Sequence, residues 1–445
     1  MTTEPHDLKQ TARELFAAAL ADVDAARALR AAVRLEGARL LVFDRELELE
    51  RFTHVYAVGL GKAAGALASA LSDVLGARLT RGVVSAPPAR AALPAGWQVF
   101  AGGHPLPNEA SLAAGRAARA LLAAADAPRA LVIFLVSGGG SAMLELPRDP
   151  RVTLADLRAA NHALVTCGAT IAEINAVRRA LSAVKGGGLS ALAPRAAQLS
   201  LVVSDTNPGA HAQVASGPTF PADAETAAVA ATLERYELRP QLPPAVVNAL
   251  DALTSAQTHA THASSALRLA YVLLDNESAK RAAARAARAR GFAVEVCDEL
   301  IEAPVDVGAR ELVAGVLRLR RAAAAGRGVC LVSGGEFVCP VRGAGVGGRN
   351  AEAALRTALE LARHDSESCH VAALHAGTDG VDGNSPAAGA VADETTVARA
   401  RALGLDAADF LARSDAYNFF RPLGDAVETG PTGTNVRDLR ILLAE

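Results

Sequence analysis

Apolar and polar positions divide the chain into short apolar runs that end in glycine or a polar residue, separated by segments of helical period. Residues 7–33 carry the helical spacing. Residues 52–59 alternate as a strand does and stop at Gly59-Leu60-Gly61-Lys62, after which 63–75 reads as a helix. Residues 82–85 predict a short strand. A loop punctuated by proline, from Gly102 to Ser111, opens the next helix with Asn108 or Ser111 as its cap. The run 131–137 is a buried strand ending at Ser137. Helices follow near 154–165 and over 169–184, the second closed by Gly186, Gly187 and Gly188. Residues 199–205 form another strand, with Ser204 and Asp205 at its carboxyl end. Further on, strands are expected at 271–275, 292–297, 329–332, 370–374 and 439–443, and helices at 278–290, 309–325 and 351–362.

Strands alternating with helices in this way predict an α/β fold, an open and mostly parallel sheet covered by helices. Ligands of such sheets bind beyond the carboxyl ends of the strands, where the polar clusters of this chain fall. The stretch 239–267, with Pro240, Pro243, Pro244 and a Ser/Thr/His/Ala run, reads as a boundary. The expected organisation is an amino-terminal domain over 1–240, a linker over 241–268 and a second domain over 269–445. No internal repeat is visible beyond two similar glycine loops.

Composition narrows the classes. A chain of 445 residues with 51% hydrophobic and 21% charged residues is globular rather than disordered. The longest apolar stretch, 130–136, is too short to cross a bilayer, and the amino terminus has no leader-like pattern, so a cytoplasmic protein is expected. The five cysteines are scattered and never in Cys-x-x-Cys spacing, which points to a reducing compartment and no zinc knuckle. With a net charge of −2 and 4% aromatics, neither nucleic acid nor an anionic membrane is a natural partner.

The chemistry concentrates where apolar runs break. Ser137-Gly138-Gly139-Gly140-Ser141 and Ser333-Gly334-Gly335-Glu336 both follow buried strands, and loops with so few side chains can present backbone N–H groups to phosphate. Of 45 cationic residues only Lys9, Lys62, Lys185 and Lys280 are lysine, and Lys62 and Lys185 sit beside glycines. A compact ammonium there suits phosphate or carboxylate oxygens. Gly59-x-Gly61-x-x-x-Gly65 approximates a dinucleotide fingerprint, but the strand 82–85 runs into Ala-Pro-Pro without the acidic residue that a ribose would need. The Walker pattern and the Gly-x-Ser-x-Gly elbow are absent. Asp205, Asp379 and Asp382 at strand ends could hold Mg²⁺ beside phosphates, or could simply form turns. Arg349, after two glycines and before a helix, is placed to meet an anion. His104 and His375 are candidate bases, although isolated histidines are more often structural.

The chain resembles, nearly end to end, the glycerate 2-kinases that carry a carboxyl-terminal MOFRL domain. The resemblance rests on segments in the same order, among them 58–63, 103–111, 136–142, 175–187, 204–205, 215–219, 333–336, 347–350, 377–383 and 429–435. It implies a large Rossmann-like domain, a smaller mixed α/β domain and an active site in the cleft between them. It also implies phosphorylation of D-glycerate on the 2-hydroxyl with ATP and Mg²⁺, with a homodimer as one possible assembly. By the same resemblance, Lys62 and Arg349 match the proposed catalytic pair, joined by Asp205. Ser137, Gly138, Gly139, Ser141, Arg178 and Lys185 would bind substrate. Ser333, Gly334, Gly335, Glu336, Gly347, Gly348, Asn350 and Thr378 would bind nucleotide, and Asp205 and Asp379 would hold the metal.

Departures from the pattern leave the exact hydroxy acid open. Gly209 and Ala210 stand where the family has an acidic doublet, Ala344 and Val346 where basic residues are usual, Pro386 where an aspartate is usual, and Ala180 where a histidine is common. An NAD(P)H-dependent hydroxypyruvate reductase and a divergent paralogue acting on another small hydroxy acid are the alternatives.

Overall fold

Every side chain of Ala130–Ser137 is buried, because the run is an interior strand of a six-stranded sheet. The computed structural model describes residues 7–88, 92–221, 226–255, 266–299, 302–363 and 369–445. Two compact units emerge, one of Ala25–Leu273 and one of Met1–Asp24 together with Leu274–Glu445. Among the described residues no helix is long and apolar enough to cross a membrane.

In the first unit, β1 (Val33–Glu36), β2 (Arg39–Val42) and β3 (Arg45–Glu48) form a small antiparallel meander. The main sheet contains β4 (His54–Leu60), β5 (Leu79–Ala86), β6 (Trp97–Ala101), β7 (Ala130–Ser137), β8 (Ala197–Val203) and β9 (Arg268–Leu274), in the order β6-β5-β4-β7-β8-β9. The pairings of β4 through β8 are parallel. Alternation along β4 and β7 sends Val58, Leu60, Val132, Phe134 and Val136 to one face, where they pack on Ala114, Ala118 and Leu122 of the helix Glu109–Ala125. The helix Ala64–Leu75 packs on β4, β5 and β7 as well. Full burial of each large apolar side chain contributes about 2 kcal/mol. A separate helical core joins Leu154–Thr166, Ile171–Leu181, Thr226–Arg235 and Pro244–Ser255 through residues such as Leu164, Val177, Leu233 and Leu250.

The second unit holds β10 (Ala293–Cys297), β11 (Val329–Gly335), β12 (Val371–Gly377), β13 (Gly389–Asp393), β14 (Ala426–Val427) and β15 (Asp438–Ala444), in the order β10-β11-β15-β12-β13-β14. Only β10 and β11 pair in parallel; the final strand β15 inserts antiparallel between β11 and β12. Helices Val305–Ala322 and Arg349–Leu361 share a core with Leu331, Ala373 and Leu442.

The division differs from the expected 1–240, 241–268 and 269–445. Helix Leu8–Asp22 packs on the helix Asn276–Ala289 and on β12, β13 and β15, so the amino terminus belongs to the second unit. Its Lys9 ammonium lies 3.0 Å from Asp393 and 3.1 Å from Asp425. Within the expected linker, Pro244–Ser255 is a helix whose Val246 and Leu250 are buried in the first unit's helical core. The helix expected over 169–184 ends at Leu181, where Ser182 turns extended. As the cap of Glu109–Ala125, Asn108 accepts from the Ser111 amide at 2.8 Å, and the two form a capping box.

Candidate active site

The carboxyl ends of β4, β7 and β8 meet at two glycine turns. The Gly61 amide donates to the Ser85 carbonyl at 3.1 Å and the Lys62 amide to the Gly138 carbonyl at 2.8 Å. The Ala63 amide donates to Ser137 Oγ at 3.1 Å, and the Ser137 hydroxyl donates to the Leu60 carbonyl at 3.4 Å. Ser137 is buried and joins the two turns, so its hydroxyl is occupied within the protein.

The adjoining glycines are close-approach sites. A Cβ on Gly138 would lie 2.0 Å from Asp205 Oδ2. Gly139 has φ of +80°, and a Cβ there would lie 2.9 Å from His104 Cδ2 and 3.4 Å from Lys62 Cγ. A cation, an imidazole and a carboxylate are thus gathered around Gly138-Gly139. Lys62 and Asp205 are half-buried and His104 is exposed. Beside Asp205, Ser204 Oγ lies 2.9 Å from His211 Nδ1 and 3.0 Å from Thr206 Oγ1.

Ser141, Arg178 and Lys185 line one cavity of about 70 Å³ in the same unit, together with Glu145 and Asn161. Ser141 Oγ lies 2.5 Å from Ser216 Oγ. The Lys185 ammonium, almost fully buried, pairs with Glu145 Oε2. Glu145 Oε1 also accepts from the Ser182 hydroxyl at 2.6 Å and the Leu146 amide at 2.9 Å. The Arg178 guanidinium donates to the Asn161 side-chain oxygen. Burial holds its pKa below the usual arginine value, with Glu145 opposing the shift in part.

In the second unit, the residues expected to cradle nucleotide have polar partners inside the protein. Ser333, Gly334 and Gly335 are buried strand residues, and Gly334 leaves room for Asn276, whose Oδ1 would lie 1.9 Å from a Cβ. Asn276 accepts from the Gly335 amide at 2.9 Å and donates to the carbonyls of Val436 at 2.7 Å and Asp438 at 3.0 Å. The second Ser-Gly-Gly segment is therefore a packing joint, unlike the open loop its sequence suggests. The amides of Gly345, Val346 and Gly347 donate to the Arg413 carbonyl, Asp415 Oδ1 and Asn384 Oδ1 at 3.0, 2.7 and 2.9 Å. Gly348 precedes the helix Arg349–Leu361, whose first amides are capped by Asp382: Asn350 donates at 3.0 Å and Ala351 at 2.8 Å. Burial pushes the Asp382 carboxyl up to about 6, against the pull of those two amide bonds. Thr378 Oγ1 donates to the Arg437 carbonyl at 2.6 Å and accepts from the Val436 amide at 2.9 Å. Asp379 Oδ1 accepts from the Val381 amide at 3.1 Å, a turn-forming bond.

Arg349 is gripped by carboxylates. Its Nε donates to Asp438 Oδ2 at 2.6 Å, its Nη2 to Asp438 Oδ1 at 3.1 Å, and Nη2 lies 2.9 Å from Glu336 Oε1. Burial works against the charge, and Asp438 and Glu336 outweigh it, holding the pKa above the ordinary arginine value. Asn350 Nδ2 donates to both Asp438 Oδ1 at 3.0 Å and Asp382 Oδ1 at 3.2 Å, which closes the network.

Glu145, Asn161, Asn276 and Asp438 were absent from the sequence-derived set. Glu145 carried a signal: it is a lone acid inside Ala142-Met-Leu-Glu-Leu146, where a carboxylate among apolar neighbours implies a buried partner. Asp438 opens a buried strand, Asp438–Ala444, that also holds the buried Arg440, so a carboxylate there implies a buried partner in the same way.

A parallel sheet with lysine, histidine and carboxylate around a glycine turn at its strand ends defines an α/β enzyme that handles small anions. The family described as a domain of unknown function (DUF4147) matches residues 11–251, and the MOFRL family matches 329–438. Human glycerate kinase is 35% identical over 491 aligned residues, covering 98% of this chain and 93% of that protein. The D-glycerate 2-kinase of Thermotoga maritima is 33% identical over 408, covering 89% and 91%. A putative hydroxypyruvate reductase of Agrobacterium vitis is 37% identical over 396, covering 87% and 98%. The crystal structure of a Thermotoga maritima glycerate kinase superposes with a TM-score of 0.80 at 30% identity, covering 99% of this chain and 100% of that one. This chain belongs to the glycerate 2-kinase family with a carboxyl-terminal MOFRL domain, a family of small-molecule kinases.

Proposed function

We propose that this protein transfers the γ-phosphoryl group of ATP to the 2-hydroxyl of D-glycerate, giving 2-phosphoglycerate. The observation that carries the reading is the gathering of Lys62, His104 and Asp205 around Gly138-Gly139, in a chain whose relatives include a D-glycerate 2-kinase. Phosphoryl transfer asks the protein mainly to position groups and neutralise charge. The Lys62 ammonium neutralises the transferring phosphoryl oxygens. Arg349, oriented by Asp438, is a guanidinium suited to phosphate. Asp205 orients the substrate hydroxyl. Glu336, Asn350 and Gly348 act on nucleotide through the Arg349 network.

Among the described residues no three or more His, Cys, Asp or Glu side chains converge on one point. Mg²⁺ takes one or two carboxylates and leaves its other positions to phosphate and water. Asp205 or Asp379 would supply the carboxylate, and the ion would screen the phosphate charge.

The reductase reading requires the amides after β4 to face a pyrophosphate. Those of Gly61, Lys62 and Ala63 all donate within the protein, which favours the kinase.

The test is coupled ADP release with D-glycerate, with the product's phosphate position read by phosphorus NMR. Lys62→Ala should lower turnover on the order of a hundredfold. A rate within a few-fold of wild type removes Lys62 from the chemistry, and NADH oxidation with hydroxypyruvate in place of ADP release overturns the kinase reading.

A further inference from the structure

The turn that follows β8 carries Asp205 at its start and His211 at its close. Its middle, Pro208-Gly209-Ala210, offers no polar side chain, and Gly209 takes φ of +81°. The Ala210 amide donates to the Asn207 carbonyl at 2.9 Å, which closes the bend without tying it to the sheet. That tie runs through Ser204, which is fully buried. Its Oγ accepts from the Thr206 amide at 3.4 Å and lies 3.0 Å from Thr206 Oγ1 and 2.9 Å from His211 Nδ1. A hydroxyl has one donor and two acceptor sites, and these three contacts fill them. Both ends of the turn therefore meet on one buried oxygen at the end of β8. The neighbouring Asp205 carboxylate fills the space that a side chain on Gly138 would need, so it has no slack on that side.

We infer that His211 is a positioning residue for the reaction. Through Nδ1 it holds Ser204, the Ser204 hub fixes the turn, and the turn fixes the Asp205 carboxylate against Gly138. The imidazole moves no proton; its hydrogen bond sets where the carboxylate stands. Phosphoryl transfer depends on such placement more than on covalent help from the protein. The effect on turnover rests on the kinase reading, whereas the lock itself is a property of the turn.

Two amide side chains separate the ring's atoms. An asparagine at 211 puts an amide atom where Nδ1 stands, and a glutamine carries its amide one bond further, toward the place of Nε2. His211→Ala and His211→Gln should lower kcat about ten- to a hundredfold, with KM for D-glycerate and ATP within about threefold of wild type. His211→Asn should keep kcat within about threefold, because the bond to Ser204 survives. Ser204→Ala combined with His211→Ala should be no slower than the slower single variant, since both break one link. Hydrogen exchange reads the lock without turnover: the Thr206 and Ala210 amides should exchange about fivefold faster in His211→Ala and at the wild-type rate in His211→Asn.

Unchanged exchange in His211→Ala overturns the inference whatever the enzyme turns over. So does an equal loss of kcat in the alanine, glutamine and asparagine variants, which would give the imidazole itself a chemical part, and so do additive losses in the double variant. Exchange that follows the expected order in a wild type releasing no ADP supports the lock and removes the kinase reading. ADP release unaltered in all three variants removes His211 and leaves the kinase standing.

Discussion

Replacing Asp438 by asparagine tests a buried charge that holds Arg349 in the second unit. Asp438 is 1% exposed and accepts both Arg349 bonds, at 2.6 and 3.1 Å, and a third from Asn350 at 3.0 Å. Removing one partner of a fully buried ion pair costs about 3–5 kcal/mol. The Arg349 side chain is 35% exposed and keeps Glu336 at 2.9 Å, so water and the second carboxylate recover part of this. A loss of about 2 kcal/mol is expected, whereas Glu336→Gln, at a side chain 33% exposed whose Oε1 lies 2.9 Å from Arg349 and 4.0 Å from Arg437, should cost under about 1 kcal/mol. Urea titrations followed by circular dichroism should show the loss as a lowered midpoint for Asp438→Asn. In the coupled assay the variant should lose at least about tenfold in kcat, because the guanidinium loses its bidentate alignment. A stability change under about 0.5 kcal/mol, with turnover within twofold, would refute the claim that Asp438 holds Arg349 in place.

Two further outcomes follow from the same network. Because the folded-state pKa of Asp382, about 6, lies above the unfolded value near 3.9, the folded state holds its proton more tightly; this contribution is full below about pH 4 and is lost as pH rises through 6. Asp382→Asn should therefore gain stability relative to wild type between pH 4 and 6, by up to about 3 kcal/mol, as read from urea midpoints across that range. Gly334→Ala places a methyl 1.9 Å from Asn276 Oδ1 and should cost about 2–4 kcal/mol. In a double-mutant cycle much of that loss should disappear when Asn276 is also alanine.

Strand ends were the most legible part of the chain. The breaks at Gly59, Ser137 and Ser204 fall where β4, β7 and β8 finish, because an apolar run that stops at glycine has little else to be. The meander Val33–Glu48 was missed, since strands of four residues, each interrupted by charge, give no long apolar run. The grouping of helix Leu8–Asp22 with the second unit depends on packing against residues more than 250 positions away, which local periodicity does not encode. The two Ser-Gly-Gly segments look alike in sequence, yet the glycines of one admit Asp205, His104 and Lys62 and Gly334 of the other admits Asn276. Spacing shows that something approaches the backbone there and leaves its identity to the fold.

The same reasoning distinguishes the lysines. In a chain that uses arginine almost everywhere, a retained lysine suggests that a compact ammonium matters at that place. Lys9 ends on Asp393 and Asp425, Lys185 on Glu145, and Lys280 on Glu277 and Asp298, each in an ion pair inside its own unit. Lys62 stands apart by position: its chain lies against Gly139 beside His104, at the carboxyl ends of parallel strands. An arginine there would bring a planar fork suited to a fixed carboxylate. An ammonium on a flexible stem can follow a phosphoryl group as its oxygens move from donor to acceptor. On that argument Lys62→Arg, which keeps the charge and changes its shape, should lose turnover more than it raises KM. Arg349, by contrast, is held in a bidentate grip by Asp438, the use for which a planar fork is suited.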